Sequence, residues 1–452
     1  MPGYDLVVLG GGPAGYPAAI RAAQLGARVG LIEAEKLGGV CLNWGCIPTK
    51  TMHAAAHLME AGRSSEYSET PAVDMKSLSE HRAKVVDRLV SGVQKLLKKR
   101  GVEVIRSRGR LISPGEVKID SGDTVKGDKI IIATGSSAMK LPGMEFDGKL
   151  ILSSKDLLNL DHLPSSLLII GGGVIGSEFA SIFNSLGTEV TVVEMLPSLV
   201  SGESDRISKY LRMFFRKKGI KVHLGARVEK IDRGGDGITA HLDDGTVIES
   251  SATVLSVGRV PNIEDIGLRE VGVETEDSAI RVNGRMETNV QGVYAAGDAV
   301  GGYLLAHVAT REGLVAAENA MGGDREVDYS LVPSTVYTIP EIAHVGLNMK
   351  EAESSGIECD RGQFPFSANG KALGLDEPDG FVAWVAEQKS GKLLGLHIIG
   401  PNATELVSIG TVAVSNGMTA EEFETLIFPH PTLGEAIFEA AEDINSKSVH
   451  LL

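Results

Sequence analysis

Asp5–Glu35 reads DLVVLGGGPAGYPAAIRAAQLGARVGLIEAE, and Ser166–Leu196 reads SLLIIGGGVIGSEFASIFNSLGTEVTVVEML, so the second stretch repeats the first at a constant offset of 161. Gly10, Gly12 and Gly15 fall on Gly171, Gly173 and Gly176, and Glu33 falls on Glu194. Each copy begins with an apolar run, Leu6–Leu9 or Leu167–Ile170. It passes through the glycines into a helical pattern and ends at an acid 18 residues beyond the third glycine. One Gly-x-Gly-x-x-Gly is weak evidence. Two copies in the same strand–turn–helix–strand setting predict two Rossmann-like dinucleotide-binding domains. The first glycine permits the tight turn, the second lets the backbone approach a pyrophosphate, and the third lets the helix close on the strand. The helix N-terminus then faces the phosphates, and the acid accepts hydrogen bonds from ribose hydroxyls. The fold class is α/β, with parallel strands buried on both faces.

The 452 residues suggest about three domains. A hydrophobic content of 43% allows large cores. The net charge of −15 argues against a nucleic-acid surface and against binding to anionic lipid. No apolar run approaches the roughly 18 residues that crossing a bilayer requires. MPGYDLVVLGGG lacks a basic segment and runs straight into the fingerprint, so a cytoplasmic location is expected. No metal site is expected.

Three cysteines occur in the whole chain, and Cys41 and Cys46 lie five apart in GGVCLNWGCIPTK, eight residues after Glu33. In a regular helix their Cα atoms would be ~8.7 Å apart, beyond the roughly 4.4–6.8 Å that a disulfide tolerates. A bonded pair therefore cannot lie wholly within one regular helix. Cys41 is expected in a bend, with a helix starting near Cys46 because Pro48 suits a first turn. The helix N-terminus favours a thiolate there. In a cytosolic chain such a pair reads as redox-active. Cys359 stands alone and reads as an inert thiol.

These thiols assign the two dinucleotides. A dithiol exchanges an electron pair readily with a flavin, whereas nicotinamide accepts only hydride. The first fingerprint leads directly into the cysteines and should hold FAD; the second should hold the nicotinamide. At the second, Glu194 would repel a 2′-phosphate, and Met195, Leu196 and Pro197 supply no arginine, so NAD is favoured over NADP. Near the C-terminus, His430 precedes Pro431, and Glu435 follows where the helical pattern EAIFEAAE begins. A carboxylate so placed can fix an imidazole's tautomer and raise its basicity.

From end to end, GGVCLNWGCIPTK, IIATGS, GGGVIGSEFA, VGRVPN, VYAAGDA, LLAHVA, VYTIPEIAHVG and HPTLGEAIFEAA stand in an order that resembles the pyridine nucleotide–disulfide oxidoreductase family, and within it the dihydrolipoyl dehydrogenase branch. The resemblance implies an FAD domain at 1–145, an NAD domain at 146–262, a return to the FAD side at 263–332 and a C-terminal α+β dimerisation domain at 333–452. Asp74–Arg100 fits a helical arm of the first part. FVAWVAEQ and KLLGLHIIG read as a half-covered antiparallel sheet of the last.

Implied on the FAD side are Gly10, Gly12, Gly15, Glu33, Lys50, Gly109, Thr134, Gly135, Ser136 and Leu304, Leu305, Ala306, His307, together with Asp298 on the ribityl chain at the end of the strand VYAAGD. Implied on the NAD side are Gly171, Gly173, Gly176, Glu178, Glu194, Val228 and Gly258. In the family Lys50 and Glu178 pair beside the flavin, and His430 with Glu435 reaches the site of the opposite subunit of a homodimer. Cys41, Cys46, His430 and Glu435 are then catalytic. The implied activity is oxidation of dihydrolipoamide with reduction of NAD⁺, on a lipoyl group carried by the E2 or H protein of a 2-oxo acid dehydrogenase or glycine cleavage complex. Which complex is open, and the alternative is reduction of another small disulfide. Trp44, Thr49, Val260 and Phe428 depart from the usual pattern. Trp44 narrows the cysteine pocket in this reading, and Phe428 removes a second histidine.

Overall fold

The structure, a computed structural model, describes residues 3–64, 73–235 and 237–451. The chain divides into two compact units. One comprises the segment ending at Thr51 with Ser79–Met139 and Gly258–Asp328; the other comprises the intervening and C-terminal segments.

The first unit is built on a seven-stranded sheet. Its parallel part runs in the order Glu103–Arg106, Val29–Glu33, Tyr4–Leu9, Thr124–Ile132, with Val293–Ala295 also parallel to Thr124–Ile132. Glu116–Ile119 and Gly109–Ser113 continue the sheet antiparallel. Leu6, Val7 and Val8 are fully buried because both faces of the sheet are covered. The register Leu9↔Ile32 sets Gly10 beside Glu33 at the carboxyl ends of the two strands. That end of an open α/β sheet is where ligands bind. The helix Met75–Lys99 matches the expected arm, burying Val86, Val93 and Leu97 along one stripe.

In the second unit a five-stranded parallel sheet runs Lys221–Leu224, Glu189–Glu194, Ser166–Ile170, Ala252–Leu255, Ile151–Leu152. Here Val193↔Ile170 sets Gly171 beside Glu194. An antiparallel sheet of five strands follows, ordered Ser334–Val336, Glu341–Gly346, Leu393–Gly400, Phe381–Glu387, Cys359–Pro365. The helix Glu435–Ile444 packs on it, and Trp384, fully buried, donates its indole N–H to the Ile437 carbonyl at 2.9 Å.

This last sheet is not half-covered, as its sequence suggested. Val382, Trp384 and Ile398 enter one core with the C-terminal helices, while Phe381, Ala383 and Ile399 enter another with Ile169, Phe179 and Phe183 of the parallel-sheet layer. Both faces are buried, so the strands carry almost no polar alternation. Among the described residues no helix is long and apolar enough to cross a membrane.

Candidate active site

Each glycine fingerprint separates structural from ligand-facing positions. A Cβ on Gly10 would strike the Ala133 carbonyl oxygen and one on Gly15 the Gly10 carbonyl oxygen; Gly171 and Gly176 meet the Ser256 and Gly171 carbonyls in the same way. Gly10 and Gly171 also share a left-handed backbone, φ 104° and 105°. The middle glycines differ. A Cβ on Gly12 would meet nothing nearer than Gly39 Cα at 3.8 Å, and one on Gly173 would meet nothing within 4 Å. The protein's own packing does not require a glycine there, so the bare backbone is left for a ligand, as a pyrophosphate demands.

The acids repeat in detail. Glu33 accepts from the Gly11 and Glu35 N–H groups, both at 2.7 Å. Glu194 accepts from those of Gly172 at 2.5 Å and Leu196 at 2.7 Å. Each carboxylate is thereby fixed beside its turn, with acceptor capacity left for hydroxyl groups.

The first turn also carries the thiols. Gly38 donates its N–H to the Gly11 carbonyl at 2.8 Å, docking the cysteine segment on the fingerprint. Cys41 does not lie in a bend. It sits in a short helix, Gly39–Trp44, and a second helix, Cys46–Ser64, starts as expected. The break is Gly45, where a Cβ would lie 2.9 Å from the Val40 carbonyl oxygen and 3.3 Å from Cys41 Cα. The spacing argument excludes one continuous helix, and two helices broken at a glycine satisfy it.

The free thiols of Cys41 and Cys46 meet in a hydrogen bond. That bond, then burial and the charge of Cys46, push the Cys41 thiol far up, against the pull of Lys50. Tyr16, on the fingerprint helix, is pushed up by burial and then by Cys41.

The same unit holds most of the other predicted FAD-side positions. Asp298 falls in a single 3₁₀ turn, Gly297–Val300, just past the strand Val293–Ala295 rather than at its end. It accepts from the Ser136 hydroxyl. Glu312 fixes that turn by accepting from the Gly297 N–H at 2.7 Å. Leu304, with φ 52°, and Leu305 lead into the helix Ala306–Ala320, whose first turn holds Ala306 and His307. Thr134 and Gly135 are tied to Asn262, which donates to the Thr134 carbonyl at 3.1 Å and to that of Gly135 at 2.8 Å. Gly109 is a packing glycine: a Cβ would press on Leu9 and Val117. Arg259 and Tyr16 were missed by sequence reasoning. Arg259 was within reach, since it follows Gly258 in VGRVPN.

In the second unit Glu178 lies beyond the first turn of the helix Val174–Leu186 and accepts from the Tyr337 N–H at 3.0 Å. Val228 is buried in a core, and Gly258, in the first unit, has φ 127°. His430 is exposed, and its Nδ1 lies 2.8 Å from Glu435 Oε1. Glu435 also accepts from the Thr432 N–H at 2.7 Å. Burial opposes its ionisation, yet the Thr432 and His430 hydrogen bonds hold its carboxyl below the usual range. The imidazole is oriented with Nε2 free to face a substrate. Phe428, where a second histidine was considered, lies between Phe423 and Phe438, both centroids 5.6 Å away and both ring planes tilted by 44°.

A family model described as pyridine nucleotide-disulphide oxidoreductase matches residues 4–313, and the dimerisation domain of the same description matches 332–441. Dihydrolipoyl dehydrogenase of Bacillus subtilis (strain 168) is 40% identical, with 99% of each chain covered. That of Thermus scotoductus is 41% identical, with 100% of each covered. Among solved structures, LpdA of Mycobacterium tuberculosis superposes with a TM-score of 0.91 at 31% identity, covering 97% of this chain and 98% of that one. The HOCl-induced flavoprotein disulfide reductase RclA of Escherichia coli gives 0.89 at 26% identity, covering 98% and 100%.

Proposed function

The chain belongs to the pyridine nucleotide-disulphide oxidoreductase family, and we propose that it oxidises dihydrolipoamide to lipoamide with reduction of NAD⁺. The observation that carries this reading is the Cys41–Cys46 contact, docked on the first fingerprint turn at the head of a helix. FAD and NAD are the cofactors, and the two open middle glycines fit their pyrophosphates. The chemistry supplied by bound FAD is electron-pair transfer between the dithiol and NAD⁺.

The chain's own residues do the rest. With Cys41 and Cys46 joined as a disulfide, His430 takes the proton of a substrate thiol through Nε2, and Glu435 stabilises the imidazolium. The substrate thiolate attacks Cys41 Sγ, a mixed disulfide forms, the Cys41–Cys46 bond breaks, and Cys46 leaves as a thiolate. The second substrate thiol attacks the first substrate sulfur and its proton passes to Cys41 as that sulfur leaves, releasing the cyclic disulfide; His430 then gives up the first proton to solvent. The dithiol that results is the form seen here.

In this reading a homodimer, supported by the match to the dimerisation domain, brings His430 and Glu435 of one chain to Cys41 of the other. The lipoyl group arrives on a separate carrier protein. The cytoplasm suits a cysteine pair that must cycle between dithiol and disulfide.

The test is anaerobic turnover. NADH should form from dihydrolipoamide and NAD⁺, faster in kcat/KM than with NADP⁺, and Cys41→Ser should abolish it. Faster reduction of glutathione disulfide or coenzyme A disulfide than of lipoamide would overturn the substrate assignment.

A further inference from the structure

The two fingerprint turns are braced in the same way, by unlike residues. In the first copy the Gly11 carbonyl accepts from the Gly38 N–H at 2.8 Å; in the second the Gly172 carbonyl accepts from the Val200 N–H at 2.8 Å. Both bracing residues have left-handed backbones, Gly38 with φ 90° and Val200 with φ 41°. A glycine adopts that conformation freely. For a β-branched residue it is a genuine outlier, and such strain persists only where the surroundings over-determine it.

Two features hold Val200. Its side chain is buried with Leu199 in the core that also takes Ile169 and Phe179. Its carbonyl accepts from the Glu203 N–H at 2.8 Å, closing a turn. Glu203 ties that turn to the antiparallel sheet. Its side chain, 3% exposed, accepts from His344 Nδ1 at 2.7 Å and from Ser334 Oγ at 3.3 Å. His344 and Ser334 are cross-strand partners, so both anchors lie on one face of adjacent strands. Across the next strand His344 pairs with His397, and the two rings stack 5.5 Å apart at 17°. Burial pushes His344 down, but the hydrogen bond and charge of Glu203 hold it above its ordinary value.

The braced group lies next to the open glycine. Gly172 is held on both sides, its N–H by Glu194 at 2.5 Å and its carbonyl by Val200 and by Ser177 Oγ at 3.0 Å. The Gly172 carbonyl and the Gly173 N–H share one planar peptide and point opposite ways. Bracing the carbonyl therefore aims the N–H.

We propose that Val200, Glu203 and His344 are positioning residues for the nicotinamide dinucleotide, locking the Gly172–Gly173 peptide so that its N–H is aimed before the pyrophosphate arrives. The anchoring of Glu203 on His344 and Ser334 offsets the strain in Val200. In the first copy Gly38 makes the same bond with a backbone free of that strain. The inference rests on the second fingerprint as the NAD site and not on lipoamide as substrate.

The FAD-loaded full chain is titrated calorimetrically with ADP-ribose, which carries the pyrophosphate and no reactive ring. Glu203→Gln and His344→Ala should each weaken binding about fivefold or more, the usual range of coupling between distinct positions, with flavin content unchanged. In a Val200→Gly background the loss in either variant should shrink to less than about twofold, because glycine holds the left-handed turn without strain. His344→Ala serves where Glu203→Gln does not fold. Equal losses in the two backgrounds would mean general loosening of the fold and overturn the proposal. Binding unchanged from the parent in both Glu203→Gln and His344→Ala also overturns it. Failure of the NAD reading itself would show differently: the unaltered chain would bind no ADP-ribose, and both inferences would fall together.

Discussion

Gly173→Ala should leave the protein folded and cripple its use of NAD⁺. The position has φ −70° and ψ −168°, extended backbone open to any L-residue. A Cβ there meets no protein atom within 4 Å. Two small effects on stability oppose each other. The unfolded chain loses entropy, worth about 0.4–1 kcal/mol in favour of Ala, and Ala caps a helix less well than Gly by a similar amount. The net change should lie within about 0.5 kcal/mol.

The added methyl occupies the approach of the pyrophosphate to the backbone. Losing one charge-assisted hydrogen bond costs about 1.5–3 kcal/mol, which raises KM for NAD⁺ roughly 10- to 100-fold. Gly176→Ala is the contrast. Its Cβ would collide with the Gly171 carbonyl and sit 2.7 Å from Ser256 Oγ, an overpacking cost of about 1–3 kcal/mol or more. Urea unfolding and steady-state kinetics on the two variants, with flavin content as control, decide the matter. An unchanged KM in Gly173→Ala, or a stability loss matching that of Gly176→Ala, would refute the division of roles.

His430→Gln should lower kcat by about 10²–10⁴ with dihydrolipoamide while leaving the folded protein yellow; full activity would remove His430 from the mechanism. Glu435 has a depressed folded value, so its stabilising contribution is complete above the unfolded value of about pH 4.3 and is lost as pH falls from there through the depressed folded value. Glu435→Gln should therefore lower Tm near neutral pH and converge with the parent in acid; an equal loss at both would refute this. His57 is raised by its hydrogen bond to Glu377, 3.0 Å away, against burial. That pair stabilises fully below about pH 6.5 and is lost as pH rises through the raised value, so Glu377→Gln should cost up to about 1 kcal/mol in mild acid and little in alkali. Trp384→Ala should cost about 3–5 kcal/mol, read by urea unfolding; a small change would mean that its core collapses around the gap.

Much of the site is legible in the chain because it is written locally. Each fingerprint sits within 31 residues, and strand, turn and helix follow from apolar runs and glycines. Gly10, Gly12, Gly15 and Glu33 could thus be given expected roles from the chain alone. The helix start at Cys46 was equally local, set by Gly45 and Pro48. Where local reasoning failed, a neighbour from far along the chain was missing. Cys41 is the exception, a local miss: it was expected in a bend because only one helix was considered, whereas Gly45, close against Val40, breaks the chain into a short helix and a long one. Strand Phe381–Glu387 was expected to have an exposed face, but that face is covered by residues about 200 positions earlier, such as Phe179.

The sequence by itself determined the elements and their order: two dinucleotide cradles, a thiol pair after the first, and an imidazole with its carboxylate near the end. These depend on backbone sterics and short spacings, which a few consecutive residues fix. Only the tertiary structure decided that the two thiols meet, that Arg259 is clamped on Ser136 123 residues away, and that the middle glycines are free of the protein's own packing. Charge and burial are sums over neighbours, and the neighbours that matter here are brought together by sheet pairing across the chain.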